Sequence, residues 1–244
     1  MVKKQLEKTI VIGTFCLNTC PDITSILSTH LDFLIIDREH GRANLEKTLY
    51  LLNSINNVCE KFVRVASCDR VEIQKVLELG PEGILVPQIS SFEDAKNAVD
   101  YSFYPPVGTK GLSPYTRAFK FSPEKLKEKK IFHNNKFKLS LLIEGNNGFE
   151  SLDKILKAFN KKIYMIYFGL FDYANTIKVE PNWENSELKS NLISLKKKCS
   201  YYNIKVGTIA RNNNELQLLK SLFIDYIVYQ NDTGILDEAL NKIT

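Results

Sequence analysis

Short apolar runs alternate with helix-patterned segments from one end of the chain to the other, and no other feature restricts the fold as much. Eight runs rich in Ile, Val, Leu, Phe or Tyr lie at 9–15, 33–37, 62–66, 83–87, 139–144, 163–168, 204–208 and 226–229. Polar residues or glycine bound each run, as expected of parallel strands covered on both faces. Helical periodicity marks 45–54, 71–79, 92–99, 149–159, 184–199, 215–222 and 234–241 between them. Ser91 with Asp94 reads as a cap at the start of the third of these helices. Eight strands alternating with helices over 244 residues match the size and order of a (β/α)8 barrel. We therefore expect an α/β chain forming one barrel domain over 1–244. A doubly wound open sheet is the alternative, because periodicity does not reveal closure. The first strand is not followed by G-x-G-x-x-G and the chain has no GxxxxGK[ST], which weakens a nucleotide-binding version of that sheet. The stretch 101–138, between the fourth and fifth strands, reads as a long irregular insert.

Composition narrows the classes. With 44% hydrophobic and 25% charged residues the chain is an ordinary globular one, and disorder is excluded. No apolar run approaches the roughly 20 residues of a membrane helix. The charged start, Met1 to Lys8, has no following apolar stretch and reads as lacking a signal peptide. Five cysteines (Cys16, Cys20, Cys59, Cys68 and Cys199) without CxxC spacing suit reduced thiols and a cytoplasmic location. The net charge of +5 comes from lysines in short helical clusters with few interleaved aromatics, so neither a nucleic-acid nor a membrane partner is expected.

In such a barrel, catalytic groups belong at the carboxyl ends of the strands. The second run ends in Asp37-Arg38-Glu39-His40-Gly41, the third carries Arg64 between Val63 and Val65, the fifth ends in Glu144, and the sixth leads into Gly169-Leu170-Phe171-Asp172. Four strands thus bring acids, a guanidinium and an imidazole to one rim. Glu144 and Asp172, on adjacent strands, suit a hard divalent ion with waters completing the shell, although each acid would equally serve to cap the helix that follows. His40 suits proton transfer, and a surface histidine is the competing reading. Arg64 inside an apolar strand needs an anionic partner, which a substrate or a structural ion pair would supply. Glu78 ends a helix beside an apolar face, where it would either orient a histidine or face solvent. No base is evident beside Cys16 or Cys68, which argues against thiol catalysis.

Taken in order, Asp37-Arg38-Glu39-His40-Gly41, Val63-Arg64-Val65, Leu77-Glu78-Leu79-Gly80 with Gly83 to Pro87, Tyr104-Pro105-Pro106 with Gly108, Lys110 and Gly111, Leu142-Ile143-Glu144, and Phe168-Gly169-Leu170-Phe171-Asp172 resemble the HpcH/HpaI family of metal-dependent aldolases. The resemblance runs over roughly residues 8 to 235. It implies a (β/α)8 barrel assembled as a homo-oligomer, a trimer or a hexamer, with the last helix exchanged between subunits. It implies a class II aldolase or lyase that makes or cleaves a C–C bond of a 2-keto(-3-deoxy) acid through a pyruvate-type enolate, with a 2-keto acid and an aldehyde as its small-molecule partners. Under the resemblance Glu144 and Asp172 hold the ion, Mg²⁺ or Mn²⁺ with Co²⁺ also allowed. Arg64 faces the keto oxygen, and His40 moves the proton with Asp37 and Glu39 organising it. Glu78 stands where the family has an aspartate that pairs with the histidine, in some cases across a subunit boundary. Backbone amides of Gly169, Leu170, Phe171 and Asp172 would bind the substrate carboxylate. Four positions depart from the family pattern: Leu142 replaces a usual glutamine, Leu170 a proline, Lys110 an arginine, and Glu78 an aspartate. These departures bear on the substrate more than on the metal pair. Two alternatives remain open at this point, a CoA-thioester lyase of the citrate lyase β type and a catalytically weakened barrel with a binding or assembly role.

Overall fold

The computed structural model describes residues 10–243, so the reading of the chain start at Met1 to Lys8 lies outside the described residues. The strands are β1 (Val11–Cys16), β2 (Phe33–Asp37), β3 (Glu60–Arg64), β4 (Gly83–Val86), β5 (Lys138–Ile143), β6 (Ile163–Phe168), β7 (Lys205–Ala210) and β8 (Tyr226–Asn231). They pair in sequence order, every pair is parallel, and β8 closes on β1, which decides for the barrel over the open sheet. The helices are α1 (Pro21–His30), α2 (Leu45–Ser54), α3 (Arg70–Glu78), α4 (Phe92–Ser102), α5 (Leu126–Lys136), α6 (Asn146–Phe159), α7 (Leu170–Ile177), α8 (Ser186–Tyr201), α9 (Asn213–Ser221) and α10 (Asp232–Asn241).

The period of two along each strand divides the core into two compartments. Inward-facing Phe15, Phe33, Ile35, Phe62, Leu85, Leu142, Met165, Tyr167, Tyr226 and Val228 fill the barrel. Alternate residues such as Leu34, Ile36, Val63, Ile84, Leu141, Ile143, Ile166 and Phe168 pack outward beneath the helices. Because both strand faces are buried, the strands read as continuous apolar runs, and this is why eight of them could be found in the sequence.

Three helices, α1, α5 and α7, are absent from the expected pattern, and in the first two no apolar stripe faces inward. In α1 the buried positions are Thr24 and Ser28. In α5 no residue is buried, so its lysine-rich sequence has no core-facing period. The eight-residue α7 is continuous with the apolar run of β6. The insert 101–138 is accordingly not irregular throughout: it holds the end of α4, a 3₁₀ turn at Arg117–Phe119, and α5. The Ser91 cap is present, its side chain accepting the Asp94 N–H. All five cysteines are free. No helix of the described residues is long and apolar enough to cross a membrane.

Candidate active site at the carboxyl rim of the barrel

Asp37 is the last residue of β2 and is fully buried. A carboxylate in that position requires charged or hydrogen-bonding partners, and it has four. Arg64 donates through Nε at 2.8 Å and Nη2 at 2.6 Å, and the backbone N–H groups of Glu39 and His40 donate to Oδ1 at 3.0 and 3.3 Å. The bidentate pair satisfies the need of Arg64 for an anion within the chain itself. Burial works against the Arg64 cation, but the Asp37 hydrogen bonds and charge, with Glu39, outweigh it and hold its pKa above the ordinary value. The guanidinium also lies 4.5 Å from the centroid of the Phe15 ring. Asp37 therefore fixes the guanidinium and the Glu39–His40 turn together.

Glu39 turns Oε2 toward Arg64 Nη1 at 3.2 Å and accepts the Gln88 side-chain amide on Oε1 at 3.1 Å. His40 is exposed at the mouth, with Nε2 3.9 Å from Glu39 Oε2. Gln88, just beyond β4, adopts a left-handed backbone with φ 58° and directs its N–H to Glu144 Oε1 at 2.9 Å. Such a backbone costs a non-glycine residue on the order of 1 kcal/mol, and here it places one residue between two acids.

Glu144 follows β5, and Asp172 lies in the first turn of α7. Burial, together with the charges of Asp172 and Glu39, pushes the Glu144 carboxyl up to about 7, against the lowering effect of the Gln88 N–H. Gly169 permits this approach. A Cβ at that position would stand 2.6 Å from Glu144 Cβ, 3.1 Å from its Oε2 and 3.1 Å from Leu142 Cδ1. Gly169 also has no side chain with which to cap α7, so the first-turn N–H groups at Leu170, Phe171 and Asp172 receive no side-chain cap.

Among the described residues no group of three or more His, Cys, Asp or Glu side chains is placed to hold a metal. The donor set is the Glu144–Asp172 pair alone. Two carboxylates brought together in this way fit a hard divalent cation that takes its remaining ligands from water or substrate oxygens. A zinc-type site would need further nitrogen or sulfur donors.

Phe15, Arg64, Leu142, Glu144, Tyr167, Gly169, Leu170, Phe171, Asp172 and Ile209 line one cavity of about 50 Å³. Arg64, Glu144, Asp172 and the Gly169–Phe171 loop thus converge, with Asp37, Glu39 and His40 joined to them through Arg64. Glu78 does not converge with them. It lies at the end of α3, where Gln74 Nε2 approaches it at 3.4 Å and its charge acts on Lys110 and Tyr104. A larger cavity of about 360 Å³ lies beside the insert, lined by Pro105, Lys127, Ile131 and Lys162 among others, and includes none of these site residues.

Sequence reasoning missed Gln88 and Tyr167. Gln88 was within reach of the strand-end rule, since it follows the β4 run. Tyr167 sits inside an apolar run, where the sequence gives no sign of which face it takes.

Residues 12–225 match the sequence model of the family described as HpcH/HpaI aldolase/citrate lyase. A 4-hydroxy-2-oxovalerate aldolase of Novosphingobium aromaticivorans is 36% identical over 109 residues, which are 43% of this chain and 42% of that protein. The chain thus spans less than half the length of that relative. A 5-keto-4-deoxy-D-glucarate aldolase of Escherichia coli O157:H7 is 22% identical over 97% of this chain and 91% of its own. Among solved structures, the HpcH/HpaI aldolase from Desulfitobacterium hafniense DCB-2 superposes with a TM-score of 0.87 at 23% identity, over 99% of this chain and 94% of that one.

Proposed function

The chain belongs to the HpcH/HpaI aldolase/citrate lyase family, and from that premise we propose that it is a divalent-metal-dependent carbon–carbon lyase of the class II aldolase type. Its substrate is a 2-keto(-3-deoxy) acid, made or cleaved through a pyruvate-type enolate with an aldehyde as the other partner. The observation that carries this reading is one small cavity with the Glu144–Asp172 acid pair and the Arg64 guanidinium on its walls.

Glu144 and Asp172 are the residues that hold the cation, Mg²⁺ or Mn²⁺ with Co²⁺ also accepted. When bound, the ion supplies Lewis acidity to the keto acid. Arg64, pinned by Asp37 and Glu39, presents positive charge where negative charge develops on the keto oxygen, and its rigid bidentate hold means little reorganisation as the reaction proceeds. The amides of Leu170, Phe171 and Asp172 receive the substrate carboxylate at the start of α7. His40, exposed at the mouth beside Glu39, relays the proton between substrate and water. Asp37 acts through Arg64 and the His40 turn and positions both. A cavity of about 50 Å³ supports a three-carbon acid more than a CoA thioester, whose pantetheine arm finds no groove among the residues lining it.

Self-association as a trimer or hexamer is part of the same proposal. Leu236 and Ile243, on and just after α10, are exposed and support contact with a second copy. Glu78 stays outside the single-chain mechanism, and its pairing with a histidine belongs to that assembled form. Pyruvate release from 4-hydroxy-2-keto acids, followed with lactate dehydrogenase and NADH, tests the reading. We expect cleavage with Mn²⁺ and none in EDTA, and cleavage that persists in EDTA overturns it.

A further inference from the structure

The mechanism above leaves one buried polar group in the cavity unused. Tyr167 is an inward residue of β6 with 3% of its surface exposed, and its hydroxyl is buried without a hydrogen-bond partner among the described residues. The ring is held firmly. Phe15 meets it edge-on, with centroids 5.9 Å apart and an interplanar angle of 69°. On the β7 side its register partner is Gly207, where a Cβ would stand 2.9 Å from Tyr167 Cδ2. On the β5 side its register partner is Leu142, which offers nothing to the hydroxyl.

A buried hydroxyl without a partner is destabilising relative to one that is satisfied. A phenylalanine would fill the same space without that cost, so the oxygen calls for a partner from outside the chain. The other polar groups lining the cavity cannot be that partner. Glu144 interacts with Asp172 and accepts the Gln88 N–H, and Arg64 is committed to Asp37 and Glu39. Burial pushes the phenol above its ordinary range, and Asp37 adds to this while Arg64 opposes it, so the group remains a neutral donor at physiological pH. Among the residues lining the cavity it is the one neutral side-chain donor. Tyr167 stands two residues before Gly169 in the chain and lines the same cavity as the acid pair.

We infer that the Tyr167 hydroxyl contacts the substrate, donating a hydrogen bond to the keto oxygen of a small 2-keto acid that enters the cavity beside Arg64. This inference rests on the enolate reading above. A second donor on that oxygen favours the enolate over the ketone, because the oxygen gains charge as the enolate forms. No proton is transferred to or from Tyr167.

Tyr167→Phe keeps the ring and removes only the donor. The experiment compares wild type and the variant in three ways with Mn²⁺ present: deuterium exchange at the pyruvate methyl group, binding of oxalate as a planar enolate mimic, and melting temperature without metal. We expect kcat for exchange to fall roughly tenfold with a smaller change in KM, oxalate to bind roughly tenfold more weakly, and the melting temperature to stay level or rise. Wild-type exchange and oxalate affinity in Tyr167→Phe overturn the inference. So does a lowered melting temperature with kcat unchanged, which marks a packing role. Absence of exchange in the wild-type enzyme itself overturns the enolate reading and this inference with it, whereas exchange in wild type that is equal in the variant overturns Tyr167 alone.

Discussion

Gly169→Ala is the sharpest steric test of how the acid pair is built. Gly169 has φ −79° and ψ 89°, a backbone open to any residue, so the substitution acts through space and not through conformational strain. The new Cβ would stand 2.6 Å from Glu144 Cβ, about 0.8 Å inside the ordinary contact limit of 3.4 Å. Neither β6 nor α7 yields easily, because the Gly169 N–H is bonded to the Ile143 carbonyl at 3.0 Å and the Tyr173 N–H to the Gly169 carbonyl at 3.1 Å. Glu144 Cβ is fixed by its own backbone, so the segment at the end of β5 is what moves, by nearly the full overlap, and it carries the carboxylate with it. Overpacking of this kind costs about 1–3 kcal/mol in stability. A displacement near 1 Å in a catalytic group costs on the order of a hundredfold in rate. Mn²⁺ affinity by calorimetry, pyruvate exchange by NMR and the thermal midpoint should fall together. Gly145→Ala is the matched control, since a Cβ there meets nothing within 4 Å and α6 should lose no more than about 1 kcal/mol at its N-cap. Wild-type metal affinity and exchange in Gly169→Ala would refute the reasoning.

Arg64→Ala leaves the fully buried Asp37 carboxylate without its bidentate partner, and urea unfolding at pH 7 should show a loss of about 3–5 kcal/mol. Glu144 has its pKa raised from 4.5 to about 7, so between those values the folded state binds more protons than the unfolded one and metal-free stability declines as pH rises. Glu144→Gln should remove that decline, raising the melting temperature in EDTA at pH 7.5 relative to wild type more than at pH 5. His133, half-buried, stacked on Phe137 and bonded to the Ser102 carbonyl, has its pKa pushed down by desolvation from 6.5 to about 4. The unfolded state binds the extra proton in that window, so stability should fall by up to on the order of 3 kcal/mol as pH drops through it, and His133→Gln should flatten the loss.

The strands could be read from the chain because barrel strands are apolar on both faces. The candidate site residues stand out because they lie where those runs stop. Asp37 and Glu144 interrupt apolar runs with charge, and Asp172 follows the first glycine after β6. The partner of Arg64 could not be chosen in advance. Its choice of Asp37 depends on the β2–β3 register, which pairs those two residues directly. Gln88 acts through a backbone N–H set by a left-handed φ, and periodicity carries no information on that. The insert was misread because α5 buries none of its residues and so has no stripe to read. Glu78 illustrates the remaining gap. Its sequence neighbourhood suggests a catalytic partner, while the single chain surrounds it with Gln74, Lys110 and Tyr104.

We propose above that Glu144 and Asp172 would hold a divalent ion and that this chain forms a pyruvate-type enolate with its help. Proton exchange at the pyruvate methyl group in heavy water tests it before any aldehyde is known, with EDTA, Mg²⁺ and Mn²⁺ arms and Glu144→Ala as control. Exchange should require metal and be lost in Glu144→Ala. Exchange of equal rate in EDTA, or retained in Glu144→Ala, would contradict it.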